Sequence, residues 1–161
     1  MNEYLPLIVV IAITGSGVVT GLLFAFSNFV MRALQDLPTE HGMFAMQRIN
    51  EAIMNPIFLI FFMGTPVLCL IIAVVSALEL GAPGHVYFFS GAVIYLLGPF
   101  GVTMLFNVPL NNTLAETPLD ESAEAWPLYR NRWQRWNHIR TYMGILSVFL
   151  LALGLAEVPG I

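Results

Sequence analysis

The hydrophobic positions of the chain fall into four long runs separated by polar segments. Each run has about the 20 predominantly apolar residues that an α-helix needs to cross a bilayer. Only a short turn (79–85) separates the second run from the third, so these two helices must be antiparallel. We therefore predict an all-α integral membrane protein, an antiparallel four-helix bundle that forms one transmembrane domain over residues 1–161. The predicted spans are residues 5–31, 57–78, 86–106 and 141–157.

Helical extensions are predicted in the first and third connecting segments. After Pro38 the first segment becomes helical, with Thr39 as its N-cap. Pro56 marks the entry to the second span, because proline fits the first turn of a helix. In the third segment, residues 116–124 are typical of a surface loop. A helix then begins near Pro127 and continues through the fourth span.

Composition supports the membrane assignment and excludes several classes of protein. Only 10% of the 161 residues are charged and the mean hydropathy is +0.79, whereas soluble domains carry about 25% charged residues. A net charge of −4 offers no basic surface for nucleic acid. The single cysteine, Cys69, can form neither a disulfide within the chain nor a Cys-x-x-Cys redox pair.

The cations predict the orientation. The chain has no lysine, and all its arginines lie in the first and third connecting segments or at the adjacent span ends. By the positive-inside rule, both termini face away from the cytoplasm. We expect an integral protein of a bacterial inner membrane. The arginines are Arg32, Arg48, Arg130, Arg132, Arg135 and Arg140.

Small residues and prolines predict how the spans pack. Gly17 and Gly21 form a small-xxx-small pair, which lets two helices approach closely in lipid. Pro66 and Pro99 lie inside the second and third spans, where each predicts a kink. Two kinked helices can open a cavity between them.

An aromatic and cationic stripe precedes the fourth span. Tyr129, Trp133, Trp136 and Arg140 step by four, three and four residues, which places them on one face of a helix. Tryptophans and arginines at this level also serve as anchors in the lipid headgroups, and that interpretation stays open. For Arg140 and Asn137, which lie nearest the membrane, an internal polar role is favoured.

Amides and guanidinium groups recur at the predicted cytoplasmic end of every span. They supply hydrogen bonds and fixed positive charge, which suit an anionic or enolate-like oxygen better than hydrolysis by paired carboxylates. His41 and His138 share this side, but no helical ligand spacing supports a metal site. The polar layer is expected to contain Asn28, Arg32, Asn50, Asn55, Asn107, Asn111, Asn137 and Arg140.

Four motifs resemble the anthrone oxygenase-like family of small four-span membrane proteins, and together they cover nearly the whole chain. They are Gly-Leu-Leu-Phe-Ala-Phe-Ser (21–27), Ala-Met-Gln-Arg-Ile-Asn (45–50) followed by Asn55-Pro56, Asn107-Val-Pro-Leu-Asn111, and Trp133-x-x-Trp136-Asn137-x-x-Arg140-Thr141.

This resemblance implies oxidation of a polycyclic phenolic anthrone to an anthraquinone, without flavin, haem or another cofactor. Deprotonating the activated methylene gives an enolate that reacts with O₂ directly. We assign Arg140, Asn137 and His138 to catalysis, with His138 as the base if it turns inward. Trp133 and Trp136 would stack the rings, and the remaining polar-layer residues would bind the substrate: Asn28, Arg32, Asn50, Asn55, Asn107 and Asn111.

A second hypothesis is a non-catalytic membrane protein that binds lipid or quinone, or a small scaffolding subunit of a larger membrane complex. A homo-oligomer is also compatible with the sequence. An enclosed pocket bordered by Arg140 favours the oxygenase, whereas a filled core with an exposed apolar groove favours the scaffold. In both cases the expected partners are membrane lipids and a hydrophobic small molecule or lipid ligand.

Overall fold

The computed structural model describes residues 4–159, and within them the chain forms five helices. Four of these are long and apolar enough to cross a membrane, which confirms the predicted all-α class. The helices are α1 (Leu5–Gln35), α2 (Thr39–Ala52), α3 (Pro56–Leu78), α4 (His85–Glu116) and α5 (Ser122–Ala156).

Three of the membrane-crossing helices are longer than a bilayer requires. The 35 residues of α5 extend about 52 Å at 1.5 Å per residue, whereas the hydrocarbon core is about 30 Å thick. α1 and α4 have 31 and 32 residues. The last turns of α1 and α4, the first turns of α5 and the whole of α2 pack together around Met43, Met46 and Trp126. We call this part of the molecule the end layer.

Local sequence explains where α2 and α3 begin. The backbone N–H of Phe58 donates to the Asn55 side chain at 3.1 Å, so Asn55 caps α3 and Pro56 is its first residue. The prediction for α2 was wrong by one residue. Pro38 occupies the cap position without a side-chain hydrogen bond, and Thr39 is the first helical residue.

The third connecting segment is more ordered than the sequence suggests. α4 continues to Glu116, a 3₁₀ turn covers Leu119–Glu121, and α5 follows at once. The loop predicted over residues 116–124 is therefore shorter than expected: residues 117–121 connect the two helices, whereas Glu116 and residues 122–124 are helical. Pro127 lies in the second turn of α5, inside the helix, and the single long helix predicted through the fourth span is confirmed.

The four long helices form a closed square. α1 packs against α3 and α5, and α4 packs against the same two neighbours. Thr20 of α1 lies opposite Gly144 of α5, and Leu23, one turn further along α1, contacts Asn137. Residue numbers rise on α1 while they fall on α5, so this first-to-last pair is antiparallel.

Small residues permit the closest approaches, but not at the predicted pair. A Cβ added to Gly15 would lie 2.3 Å from Thr65 Oγ1, and one added to Gly144 would lie 2.4 Å from Thr20 Oγ1. Gly17 and Gly21 have no neighbouring atom within 4 Å of such a Cβ. The small-residue contact of α1 within the bundle is therefore at Gly15, and Gly17 and Gly21 make no such contact within this chain.

Two segments of wider π-helix interrupt the α-helical hydrogen bonding. One covers Phe26–Val30 in α1, and the other covers Leu96–Asn107 in α4. The second contains Pro99, so the irregularity predicted in the third span is present. α3 stays α-helical on both sides of Pro66. A π segment rotates the following turns and is common at functional sites.

Candidate functional site

A cavity of about 270 Å³ lies between the transmembrane square and the end layer. Its volume is near the lower end of the range for small-ligand pockets, which starts at about 300 Å³. All five helices line it, and most lining side chains are apolar. The polar or aromatic exceptions that carry the chemistry are Arg140, Thr103, Asn50, Asn111 and Trp133.

Arg140 is held in the cavity wall by hydrogen bonds on two sides. Only 5% of the residue is exposed. Its Nε donates to Asn137 Oδ1 at 3.1 Å, and its Nη1 donates to Thr103 Oγ1 at 2.9 Å. The guanidinium carbon also lies 4.8 Å from the centre of the Trp133 ring, a cation–π contact. The guanidinium group is thereby fixed in position.

No carboxylate of residues 4–159 balances the Arg140 charge. The ion pair found in this part of the chain joins Arg48 to Glu51, and both of those side chains are largely exposed. Burying an unpaired charge costs several kcal/mol or more. A cation fixed beside an apolar cavity without a counter-charge favours an anionic group in that cavity.

Asn137 is a positioning residue. It is fully buried, and its Nδ2 donates to Leu23 O at 2.9 Å and to Ser27 Oγ at 2.7 Å. Ser27 lies in the π segment of α1. Because the amide nitrogen is fixed by α1, the amide oxygen must point toward Arg140.

Trp133 and Asn111 form the cavity wall nearer the end layer. Trp133 Nε1 donates to Asn111 Oδ1 at 2.9 Å, and the hydroxyl of Tyr129 donates to the same oxygen at 2.8 Å. The Trp133 ring also packs against Phe26, with ring centres 5.3 Å apart. The indole is therefore oriented by its own N–H group and by a neighbouring ring.

Asn50 of α2 contributes a free polar group to the cavity. Its side chain lies close to the Tyr129 hydroxyl, but the buried Nδ2 makes no hydrogen bond of ordinary geometry. Leaving a buried donor unpaired costs about 1–3 kcal/mol. A ligand oxygen in the cavity would provide the missing acceptor.

Four residues of the predicted polar layer lie away from the cavity. Asn28 and Arg32 are exposed on the outer face of α1, and Asn55 is the exposed cap of α3. Asn107 is fully buried, and its Nδ2 donates to the backbone oxygen of Trp133 at 3.3 Å. The expected single layer therefore divides into a cavity group and these separate positions.

His138 and Trp136 also lie outside the cavity lining. His138 is half-buried, and its Nδ1 lies 3.0 Å from Ser27 Oγ. Trp136 stacks on Phe106, with ring centres 3.8 Å apart, on the outer side of α5. His138 is therefore connected to Arg140 only indirectly, through Ser27 and Asn137.

Sequence reasoning missed two residues of the Arg140 network, Thr103 and Ser27. Thr103 lies in the π segment of α4, where counting by helix turns does not predict which face a residue occupies. Ser27 stands in the Gly-Leu-Leu-Phe-Ala-Phe-Ser motif, but nothing in its local pattern indicated a contact with α5. Among the described residues, no group of three His, Cys, Asp or Glu side chains lies close enough together to hold a metal ion.

A family model described as anthrone oxygenase matches residues 58–150, more than half of the chain. The chain belongs to the anthrone oxygenase family. Searches of curated proteins and of solved structures found no match to the chain.

The matched region of the anthrone oxygenase family includes α3, α4 and most of α5. It therefore contains Thr103, Asn111, Trp133 and Arg140. The α1 and α2 contributions to the cavity, among them Asn50, precede the match.

Proposed function

We propose that the protein is a membrane-embedded oxygenase that oxidises a hydrophobic aromatic substrate of the anthrone type with O₂, without flavin or haem. The observation that carries this proposal is the buried Arg140 guanidinium, unpaired with any described carboxylate, in the wall of an apolar cavity beside Trp133. Family membership supplies the reaction class, and the cavity supplies a place for an aromatic anion.

The proposed reaction needs no external reductant. An anthrone loses a proton from its methylene carbon, and the resulting enolate transfers electrons to O₂ and forms a carbon–oxygen bond. The hydroperoxide then loses water as the second methylene proton leaves and the O–O bond breaks. One atom of O₂ becomes the new quinone carbonyl and the other becomes water, so the substrate supplies all four electrons.

The residues that line the cavity stabilise the negative charge of the substrate and orient it. Arg140 stabilises the enolate oxygen, which is where negative charge develops. Trp133 adds aromatic surface to the cavity wall beside Arg140, and Asn50 donates to a second oxygen. None of the described lining residues is a carboxylate, imidazole, thiol or amine. The substrate proton therefore leaves to water, and His138 does not contact the substrate directly.

A direct test measures conversion of anthrone by the purified protein in liposomes under ¹⁸O₂. We expect anthraquinone carrying one ¹⁸O atom to form at least tenfold faster than by autoxidation in empty liposomes. Arg140→Gln should lose this acceleration because it leaves a polar side chain but removes the positive charge. Arg132→Gln is the matched control, since Arg132 is exposed on the same helix. Autoxidation rates with every variant would contradict the proposal.

The second candidate function is a non-catalytic carrier of a quinone or an acidic lipid. The cavity lining favours the carrier in one respect, because the lining offers no general base. The carrier predicts that a stoichiometric aromatic or lipid ligand co-purifies in native mass spectrometry while anthrone oxidation stays at the rate of autoxidation. The orientation proposed from the arginines, with both termini on the non-cytoplasmic side, applies to either function.

A further inference from the structure

The cavity opens to the molecular surface. Of its lining side chains, only three are exposed: Met54 at 63%, Met63 at 48% and Met104 at 44%. Met63 belongs to α3 and Met104 to α4, while Met54 lies at the entry to α3. We call these three residues the methionine mouth. The other lining residues are buried or half-buried.

The helix geometry explains why the bundle is open there. α3 packs closely against the first part of α4, up to Tyr95, and makes far fewer contacts with the π segment that follows. The rings of Phe62 and Phe100 are in contact at the inner edge of this gap, with their centres 5.7 Å apart. The two helices therefore separate as they approach the end layer.

The surface beside Met63 is apolar. Ile60, one turn earlier on α3, is 69% exposed, and both α3 and α4 are helices long and apolar enough to cross a membrane. No described charged side chain is among the lining residues that are exposed. Met54 lies between α2 and α3, beside the exposed Asn55, whereas Met63 and Met104 belong to membrane-crossing helices. The part of the mouth between Met63 and Met104 therefore faces lipid tails.

The chemistry of the mouth also matches its position. Methionine side chains are flexible and polarisable, so they adapt to ligands of different shape. Three of them at one opening can move apart without breaking any hydrogen bond. Behind them the lining stays apolar until the Arg140 guanidinium is reached.

We propose that an apolar molecule with an acidic oxygen enters the cavity laterally from the bilayer. It passes through the methionine mouth between α3 and α4. The molecule dissolves in the hydrocarbon core, passes between the helices and places its oxygen against Arg140. This inference rests on the proposed function only for the existence of a ligand, and it holds for either the oxygenase or the carrier.

The test uses Trp133 as a reporter, because it is the tryptophan that lines the cavity. A variant with Trp126→Phe and Trp136→Phe is placed in liposomes whose phospholipid acyl chains carry bromine, which quenches indole fluorescence only at near contact. We expect stronger quenching than in unbrominated liposomes of the same headgroup, although Trp133 is only 4% exposed. Adding 9,10-dibromostearate, an apolar chain with an acidic oxygen, should quench further.

Blocking the mouth provides the matched comparison. Met104→Cys is labelled with a bulky maleimide, and the neighbouring Leu105→Cys is labelled in the same way. Leu105 is exposed but does not line the cavity, and the native Cys69 is fully buried and should stay unlabelled. The label at residue 104 should remove at least half of the bromine quenching, and the label at residue 105 should leave it unchanged.

Two results would overturn the lateral route. One is efficient quenching of Trp133 by acrylamide in water with none by brominated lipid, which would mean that the cavity opens to solvent. The other is that the labels at residues 104 and 105 leave the same bromine quenching of Trp133. If the double tryptophan variant does not fold, the loss of quenching on labelling residue 104 can be measured in the protein with all three tryptophans. An inactive protein that shows the expected quenching would refute the oxygenase and leave the lateral route standing.

Discussion

At the scale of single residues, the proposed anion site depends on how Arg140 is held. Its two hydrogen bonds go to Asn137 and Thr103, and both acceptors are fixed by other bonds. The Thr103 hydroxyl donates to the Pro99 carbonyl at 2.5 Å, so its oxygen lone pairs face the guanidinium. A charge held this way needs little reorganisation when a ligand anion arrives.

Thr103→Val should therefore weaken anion binding without removing the charge. The substitution keeps the side-chain volume but takes away the acceptor for Arg140 Nη1, and we expect a threefold to tenfold loss of affinity, about 1 kcal/mol. Thr103→Ser keeps a hydroxyl acceptor and should therefore keep most of the wild-type affinity for the anion. Thr113→Val is the control, because the Thr113 hydroxyl also bonds a backbone carbonyl four residues earlier on α4 but is exposed. Equal affinities for both valine variants would contradict the role of Thr103.

The residues that the sequence placed correctly lie on regular helix. Trp133 and Arg140 share the uninterrupted α5, so counting by 3.6 residues per turn predicted their common face. Asn28 lies inside the π segment of α1, where that counting fails, and it faces outward. Trp136 is at the edge of the same stripe as Trp133, but it contacts Phe106 rather than the cavity. Helical periodicity alone could not show which helix each side chain at the margin of this stripe would contact.

At the scale of helices, close packing at particular small residues keeps the square closed. The hydrophobic runs predicted all four spans, because their length and composition are sufficient evidence for membrane-crossing helices. They did not predict which glycines are buried. Gly15 and Gly17 stand only two residues apart, yet the first faces Thr65 and the second faces the membrane.

This difference gives a matched pair of variants. Gly15→Val should destabilise the protein by about 1–3 kcal/mol, the usual cost of overpacking, because the new side chain would displace Thr65 of α3. Gly17→Val should change stability by less than about 0.5 kcal/mol, as for an outward position. Thermal unfolding in detergent, followed by circular dichroism, measures both. Comparable destabilisation by the two substitutions would contradict the packing of α1 against α3.

At the scale of the whole molecule, the cavity results from two departures from a simple bundle. The end layer closes the square at one end, and α4 separates from α3 along its π segment. Neither feature belongs to any single run of the sequence. The sequence therefore predicted only part of the polar layer, Asn50, Asn111, Asn137 and Arg140, and it did not predict where the cavity lies. The observed cavity is bordered by Arg140 and Trp133, as expected for the oxygenase, but it opens at the methionine mouth and is not the enclosed pocket of that expectation.

The central claim is that Arg140 makes this cavity selective for an aromatic anion. The most direct measurement compares the binding of anthracene-2-carboxylate with that of anthracene-2-methanol, a neutral molecule of similar shape, by fluorescence titration in liposomes. We expect the wild-type protein and Arg132→Gln to prefer the anion at least tenfold, about 1.4 kcal/mol, and Arg140→Gln to lose that preference. Equal affinity for the two ligands in the wild-type protein, or a preference that survives Arg140→Gln, would contradict the account.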